Sequence, residues 1–302
     1  MTRAVAARAL ALPRALDVLW RFSRPHTIIG TALSIAGLYA IAAAERGAPG
    51  VPDLLATLVA GLTVNIAIVG VNQITDVEID RVNKPWLPIA AGDLSPAAAR
   101  AIVASCTAIP LAMALTQGAA ETVAVAAGLT VGALYSLPPA RLKRFPVAAS
   151  LCITGVRSLV VNLGVYWHFA GAIDPPVWAL CLFVLPFSFA IAVLKDVPDI
   201  EGDRRFSIRT FTVRLGPMRV FRLGLAALAI AYGGMIVLGP VLLADHADPW
   251  LLAIGHIGAA ALLWYWALSA DPRDRDRFTR FYMRVWALFF VEYPLVAIAC
   301  LA

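Results

Sequence analysis

The chain has 302 residues, of which 61% are hydrophobic and only 15% are charged. A soluble domain of this length has a far more even balance of apolar and charged residues. This composition excludes a water-soluble globular protein and predicts an all-α, polytopic membrane protein. The formal net charge is +6.

Nine apolar segments are long enough to cross the membrane, because about 20 helical residues span about 30 Å of hydrocarbon. In chain order they are predicted at residues 27–45, 51–72, 97–117, 119–137, 147–170, 175–195, 218–240, 250–269 and 281–301. Only short polar stretches separate them. The whole chain, 1–302, is therefore predicted to be a single transmembrane domain.

The segment before the first span, residues 1–25, contains five Arg residues and one acidic residue, Asp17. Such a composition is also typical of an organellar transit peptide. The stretch is short, however, and runs directly into Arg24-Pro25-His26-Thr27. We therefore expect residues 1–25 to form an interfacial amphipathic segment.

Basic residues are distributed very unevenly across this topology. Nine spans place 22 of the 25 Lys and Arg residues on the side of the N-terminus. Because basic residues collect in cytoplasmic loops, the N-terminus is predicted to be cytoplasmic. The net charge is then a topology signal, and no nucleic-acid partner is expected. The Ala- and Arg-rich composition favours a bacterial cell membrane.

Acidic residues cluster twice at the predicted cytoplasmic ends of spans. The first cluster, Asn72, Asp76 and Asp80, follows the second span with spacing i, i+4, i+8. On one helix these residues form a single stripe. The second cluster follows the sixth span with spacing i, i+3, i+7, and it forms a second stripe if the helix continues through Pro198. Its members are Asp196, Asp199 and Asp203.

Two facing stripes of oxygen ligands suit magnesium, which prefers hard oxygen donors and bridges to substrate phosphates. They predict two or more Mg²⁺ ions that bind a diphosphate and promote cleavage of its C–O bond. The alternative is that these acids are solvated loop charges paired with nearby basic residues. Two clusters at matching depth favour the metal site.

Basic and aromatic residues that could bind a diphosphate lie near the same ends. They are Lys84, Tyr135, Arg141, Lys143 and Lys195. The alternative is that the basic residues are topology anchors and the tyrosine belongs to the interfacial aromatic belt. Arg157 differs, because it lies near the middle of the fifth span with Asn162 just beyond it. It is predicted either to pair with an acid of another helix or to act near the reaction centre.

The sequence resembles the UbiA superfamily of intramembrane prenyltransferases, and within it the homogentisate prenyltransferases of tocopherol and plastoquinone synthesis. The resemblance rests on Phe22 to Thr31, Asn72 to Ser95, Tyr135 to Lys143, Val161 to Tyr166, Lys195 to Gly216, Phe281-Tyr282-Met283 and Glu292-Tyr293. It implies nine helices around a lipid-open central cavity, and magnesium-dependent transfer from an isoprenoid diphosphate to an aromatic acid. In the homogentisate group, decarboxylation accompanies the transfer.

The resemblance also implies roles for individual residues. The two acid clusters would hold magnesium, with Asp76, Asp80, Asp196, Asp199 and Tyr135 as catalytic residues. Tyr135, Lys84, Arg141, Lys143 and Lys195 would steady the diphosphate, or Tyr135 the developing cation through its ring face. From its chemistry, the aromatic acceptor is expected to contact Arg24 or His26, with Arg157 and Asn162 as further candidates.

Two other functions compete with aromatic prenylation. An enzyme of the same superfamily could use another acceptor or cyclise the prenyl cation. An ion-coupled transporter could use acidic residues as an ion pathway, although transporters often carry such acids deeper in the membrane.

Overall fold

The computed structural model describes residues 13–302. In that part of the chain, nine helices are long and apolar enough to cross a membrane. We number them α1 (Pro25–Arg46), α2 (Val51–Thr75), α3 (Pro96–Gln117), α4 (Ala119–Ser136), α5 (Pro146–Ala170), α6 (Pro175–Leu194), α7 (Pro217–Leu242), α8 (Pro249–Leu268) and α9 (Arg275–Leu301). The number and order of the predicted spans are confirmed.

Proline marks the first turn of seven of these helices. Its missing N–H costs nothing there, because the first N–H groups of a helix have no partner within it. Helix α9 begins six residues before the predicted span, at Arg275. The Asp274 carboxylate accepts hydrogen bonds from the backbone N–H groups of Asp276 and Arg277. This cap extends α9 into a polar stretch that hydropathy alone does not identify.

Part of the predicted interfacial segment lies before α1. Residues 13–22 are helical and leave Leu16, Leu19 and Trp20 exposed. Residues 1–12 lie outside the described part of the chain. The interfacial position of residues 1–25 therefore stays a prediction.

Successive spans alternate in direction, so α2, α4 and α6 end where α1 begins. We call this end of the bundle the mouth end. Short helices fill the connections there: Val77–Asn83 and Pro88–Ala91 after α2, Leu142–Arg144 after α4, and Ile200–Arg205 and Phe211–Leu215 after α6. The two acid clusters begin at the ends of α2 and α6.

The bundle closes by packing α9 against α1. Their close approach requires Gly37 on α1, because a Cβ atom at that position would lie 2.7 Å from the Cβ atom of Tyr293 on α9. Small residues serve this purpose widely in membrane bundles. Helix α6 is the most buried of the nine spans, and its apolar side chains form much of the core. The end of α6 therefore projects from a tightly packed centre.

At the other end of the bundle, Asp174 joins three helices. Its carboxylate forms an ion pair with Arg46 at the end of α1, with one N–O distance of 3.0 Å from Nε. It also accepts a 2.6 Å hydrogen bond from the Tyr166 hydroxyl on α5. Asp174 directly precedes α6, so this contact holds the start of α6 against α1 and α5.

Candidate active site

A cavity of about 690 Å³ lies between α1, α2, α4, α5, α6 and α9 and reaches the mouth end. Its deeper part is mainly apolar, with Val64, Ile68 and Val131 among the lining side chains, and Glu121 at the start of α4 also lines it. Its mouth is lined by acidic and basic side chains. The predicted central cavity is confirmed, and it has a charged end and an apolar end.

The two acid clusters do not lie on continuous helices, so the predicted stripes are wrong in this respect. Helix α6 ends at Leu194, four residues before Pro198. Proline has no N–H to donate to the carbonyl four residues earlier, and its ring clashes with that carbonyl. Helix α2 ends at Thr75, and Asp76, with φ −115° and ψ 17°, separates it from helix Val77–Asn83. No helix-breaking residue marks this second break.

The two breaks turn the acid clusters toward one another. All six predicted metal ligands line the cavity: Asn72, Asp76, Asp80, Asp196, Asp199 and Asp203. Helix Val77–Asn83 packs against helix Ile200–Arg205. The backbone N–H of Gly202 donates a 2.9 Å hydrogen bond to Oδ1 of Asn83, and Lys84 forms an ion pair with Asp199. These contacts bring ligands from both clusters to one mouth.

Basic side chains from the connection after α4 and from the end of α6 neutralise the acids. Asp76 accepts hydrogen bonds from Lys143 at 2.6 Å and from Arg141 at 3.2 Å. Lys195 bonds Asp196 at 2.8 Å. Arg141 does not line the main cavity and reaches Asp76 from an adjacent shallow pocket. The cations predicted to bind a diphosphate therefore already lie beside the acids.

Burial also changes the acidity of the carboxyl groups at the mouth. Desolvation raises the pKa of Asp80 to about 6, against the opposing charges of Arg24 and Lys84. It likewise raises the pKa of Asp203 to about 7, and the charge of Asp196 adds to the shift. Buried carboxylates of this kind require compensation by positive charge.

The donor set fits magnesium. It contains an amide and five carboxyl groups, all of them hard oxygen donors. Oδ2 of Asp80 is buried and has no hydrogen-bond partner, so it is free to bind a cation. Within residues 13–302 no three Asp, Glu, His or Cys side chains converge as a ready metal site. Lysine side chains bond Asp76, Asp196 and Asp199 there instead.

Arg24 lies at the charged mouth rather than in the deeper cavity. It donates a 3.3 Å hydrogen bond to Oδ1 of Asn72. Arg24 and Arg141 are two of the three non-glycine residues with positive φ in the described chain, at 54° and 38°. Strained backbone of this kind persists where the surroundings enforce it, and it is frequent at functional sites. Tyr135 also lines the cavity, with its hydroxyl 3.4 Å from Nζ of Lys195.

The remaining acceptor candidates separate into two groups. His26 and Arg157 line the cavity, and the His26 ring lies edge-on to Trp286 at a centroid distance of 4.9 Å. Asn162 does not line it. Its Oδ1 accepts a 2.7 Å hydrogen bond from the Tyr293 hydroxyl, so this amide joins α5 to α9 and is fully buried between them.

Residues 33–288 match the model of the UbiA prenyltransferase family. The chain belongs to this family. The family predicted from the motifs is thus confirmed, and the prenyltransferase interpretation is favoured over the ion-coupled transporter.

Individual relatives agree with this assignment. The chain is 42% identical to homogentisate phytyltransferase from Synechocystis sp., over 94% of this chain and 96% of that protein. It is 39% identical to chloroplastic homogentisate phytyltransferase 1 from Arabidopsis thaliana, over 93% and 75%. The fold matches a UbiA homolog from Archaeoglobus fulgidus bound to GPP and Mg²⁺, with a TM-score of 0.65, 18% identity, and coverage of 93% and 99%.

Within this UbiA site, Asn83 and Gly202 have structural roles that sequence reasoning did not assign. Both occur in segments that carry the family resemblance, Val82-Asn83-Lys84-Pro85 and Asp199 to Asp203. The sequence signal was therefore present, but only the fold shows that the two residues bond each other. Trp286 and Tyr282 on α9 also line the cavity, and no role was assigned to their side chains.

Proposed function

We propose that this protein transfers a prenyl group from an isoprenoid diphosphate to homogentisate or a related aromatic acid, with Mg²⁺. The observation that carries the proposal is the meeting of both acid clusters at one mouth above an apolar cavity. The names of the homogentisate-prenylating relatives support the acceptor. The GPP and Mg²⁺ bound by the Archaeoglobus homolog support the donor and the metal.

The acidic residues at the mouth would bind the diphosphate through Mg²⁺, and the basic residues would bind it directly. Asn72, Asp76 and Asp80 would hold one set of Mg²⁺ ions, and Asp196, Asp199 and Asp203 the other. Bound Mg²⁺ neutralises the charge of the departing diphosphate. Lys84, Lys143 and Lys195 exchange their carboxylate partners for diphosphate oxygens, while Arg141 steadies Asp76 from outside the cavity.

The reaction proceeds by cleavage of the allylic C–O bond, and the electron pair leaves with the diphosphate. The face of the Tyr135 ring stabilises the resulting allylic cation. A ring carbon of the acceptor forms the new C–C bond and then loses its proton, which the departing diphosphate accepts. With homogentisate, the carboxylate also leaves as CO2, and the carbon that carried it takes up a proton. The apolar walls exclude water, which would otherwise capture the cation as an alcohol.

The apolar end of the cavity is long enough for a prenyl chain. Along α2 the lining of the whole cavity runs from Asn72 at the mouth to Thr57, and 15 helical residues correspond to about 22 Å. Gly128 leaves room along the wall, since a Cβ atom there would only contact Val64 at 3.5 Å. These dimensions favour a C20 chain such as phytyl or geranylgeranyl.

The distribution of basic residues indicates which side of the membrane the mouth faces. The concentration of basic residues at the mouth end favours a cytoplasmic mouth and N-terminus, in a bacterial cell membrane. A charged, water-soluble aromatic acid then reaches the site from the cytoplasm, while the prenyl chain enters from the lipid.

The test is prenyl transfer by the purified protein in nanodiscs. With Mg²⁺, homogentisate and phytyl or geranylgeranyl diphosphate should yield a prenylated aromatic product and diphosphate, and chelation by EDTA should abolish both. A terpene hydrocarbon formed equally well without the acceptor, or no aromatic product under any of these conditions, would overturn the proposal.

A further inference from the structure

Arg157 is placed in the cavity by an irregular turn of α5. Residues Val156–Val160 form a π-helical turn, and the backbone N–H of Val161 donates to the carbonyl of Val156, five residues earlier. Single π-helical turns inside α-helices are frequent at functional sites. Arg157 lines the cavity, near the middle of a span where a charge is costly.

No acid in the described part of the chain forms an ion pair with this charge. None of the ion pairs among residues 13–302 includes Arg157, so the structural partner considered from the sequence is not found there. Its Nη1 is buried and has no hydrogen-bond partner among the residues that the structure describes. A buried guanidinium with an unsatisfied donor requires an anion or a polar ligand. The missing partner is therefore expected from a bound molecule.

Aromatic rings surround the guanidinium. Its carbon lies 4.8 Å from the centroid of the Trp286 ring and 5.5 Å from that of Phe289. His26, which also lines the cavity, contacts the Trp286 ring edge-on. These rings offer flat apolar surfaces beside a free positive charge. The ligand that matches both features is an aromatic ring with a carboxylate.

The position of this pocket also suits the reaction. Helix α9 begins at the mouth end, and Tyr282, one helical turn nearer to the mouth than Trp286, also lines the cavity. It therefore lies between the aromatic pocket and the diphosphate end. An aromatic acid held at Arg157 directs its ring toward the carbon from which the diphosphate departs. Arg24, the other candidate, instead bonds Asn72 at the mouth.

We propose that Arg157 binds the carboxylate of the aromatic acceptor, and that the acceptor ring packs beside Trp286 and His26. The inference rests on the proposed function and deepens it, because it makes Arg157 the residue that selects aromatic acids over uncharged phenols. A planar guanidinium pairs with a carboxylate through two parallel hydrogen bonds, which lysine cannot reproduce.

The experiment compares homogentisate with its methyl ester as acceptors for the wild type, Arg157→Gln and Arg157→Lys. Hydrogen bonds to a charged group are worth about 1.5–3 kcal/mol, so the wild type should prefer the acid by roughly 10- to 100-fold in kcat/KM. Arg157→Gln should abolish this preference by raising KM for the acid, with KM for the prenyl diphosphate unchanged. Arg157→Lys should retain part of the preference.

Arg284→Gln is the matched control. Its guanidinium also lies over a tryptophan ring, at 5.4 Å from that of Trp266, but it does not line the cavity. The acid preference should be unchanged in this variant. If Arg157→Gln does not fold, the comparison of Arg157→Lys with the wild type decides the question.

The results distinguish a failure of the role of Arg157 from a failure of the proposed function. Equal losses with the acid and the ester in the Arg157 variants, or equal use of acid and ester by the wild type, would overturn the role of Arg157 alone. Absence of prenylated product from either acceptor in the wild type would overturn the proposed function as well.

Discussion

The side-chain Oδ1 of Asn83 accepts a 2.9 Å hydrogen bond from the backbone N–H of Gly202. This contact joins helices Val77–Asn83 and Ile200–Arg205, which carry Asp80 and Asp203 of the two acid clusters. The Asn83 carbonyl also accepts a hydrogen bond from Arg275 at the start of α9. Asn83 thereby fixes both acid-bearing segments and one wall of the cavity in a common position.

Gly202→Ala should separate the two acid clusters, because a Cβ atom at this position would lie 2.5 Å from Oδ1 of Asn83. Asn83→Ala should loosen the same contact at a cost of about 1–3 kcal/mol. We expect both changes to lower kcat about tenfold or more and to raise the Mg²⁺ concentration needed for half-maximal rate. Diphosphate release measured across a Mg²⁺ titration tests this. Gly234→Ala is the control, since a Cβ atom there meets nothing within 4 Å, and equal Mg²⁺ curves for all variants would contradict the prediction.

Asp76→Asn and Asp199→Asn should each lower kcat by roughly 100-fold or more, because loss of charge stabilisation at a departing group costs about 3–4 kcal/mol. Matched controls lie in the short helices that directly follow Asp76 and Asp199. Glu78 pairs with Arg81 and its side chain is 65% exposed, and Glu201 is also exposed. Glu78→Gln and Glu201→Gln should remain active, and single-turnover rates compare all four variants. Similar losses of rate in the Asp and the Glu variants would show that general surface charge, rather than a defined site, controls the rate.

Gly128→Leu should shorten the prenyl chain that the enzyme accepts. Gly128 lines the apolar cavity, and an added Cβ atom would only contact Val64 at 3.5 Å, so the larger side chain fills the cavity rather than displacing a helix. The rate with a C20 diphosphate should fall about tenfold or more, with the rate for a C10 diphosphate largely kept. Competition between the two donors measures this directly. Gly258→Leu on α8 is the control, because an added Cβ atom there meets nothing within 4 Å. An equal loss of rate for both donors in Gly128→Leu would contradict the role of Gly128 in limiting chain length.

Low pH should weaken the contact of Asp174 with Arg46, at the end of the bundle opposite the mouth. The hydrogen bonds from Arg46 lower the pKa of Asp174, although partial desolvation opposes them. A carboxyl group whose pKa is lowered by folding stabilises the protein above its unfolded pKa of about 3.9, and this contribution is lost as pH falls through the folded value. We therefore expect Asp174→Asn to lower the Tm at pH 7 by several degrees, and this difference from the wild type to narrow below about pH 4. Thermal unfolding in detergent at both pH values tests this, and a Tm difference that is unchanged at low pH would contradict it.

The bundle could be predicted from the sequence because each span is a long apolar run, a local property of the chain. The start of α9 was missed because Arg275 to Arg280 is polar, and the helix there depends on the cap that Asp274 provides. The composition of the site was also local, since its acids follow regular spacings. Together, the apolar runs and the spacing of the acids predict that the ligands lie at one end of the bundle.

The geometry of the site could not be predicted in the same way. The break at Asp76 carries no proline or glycine, and Lys143 from a distant connection bonds that residue. The bond between Asn83 and Gly202 and the packing of Asn162 against Tyr293 likewise depend on residues far apart in the chain. Sequence spacing describes one helix at a time, whereas these contacts arise when helices assemble.

The π-helical turn at Val156–Val160 also bears on how α5 can change during evolution. Such a turn holds one more residue than the α-helical turn that it replaces, so it has the form of a single-codon insertion retained in a helix. Deleting one residue of the turn would rotate the preceding part of α5 by about 100° relative to the following part. Relatives without the extra residue should therefore present a different side chain at the depth of Arg157, and a change of acceptor could arise by insertion or deletion rather than by substitution.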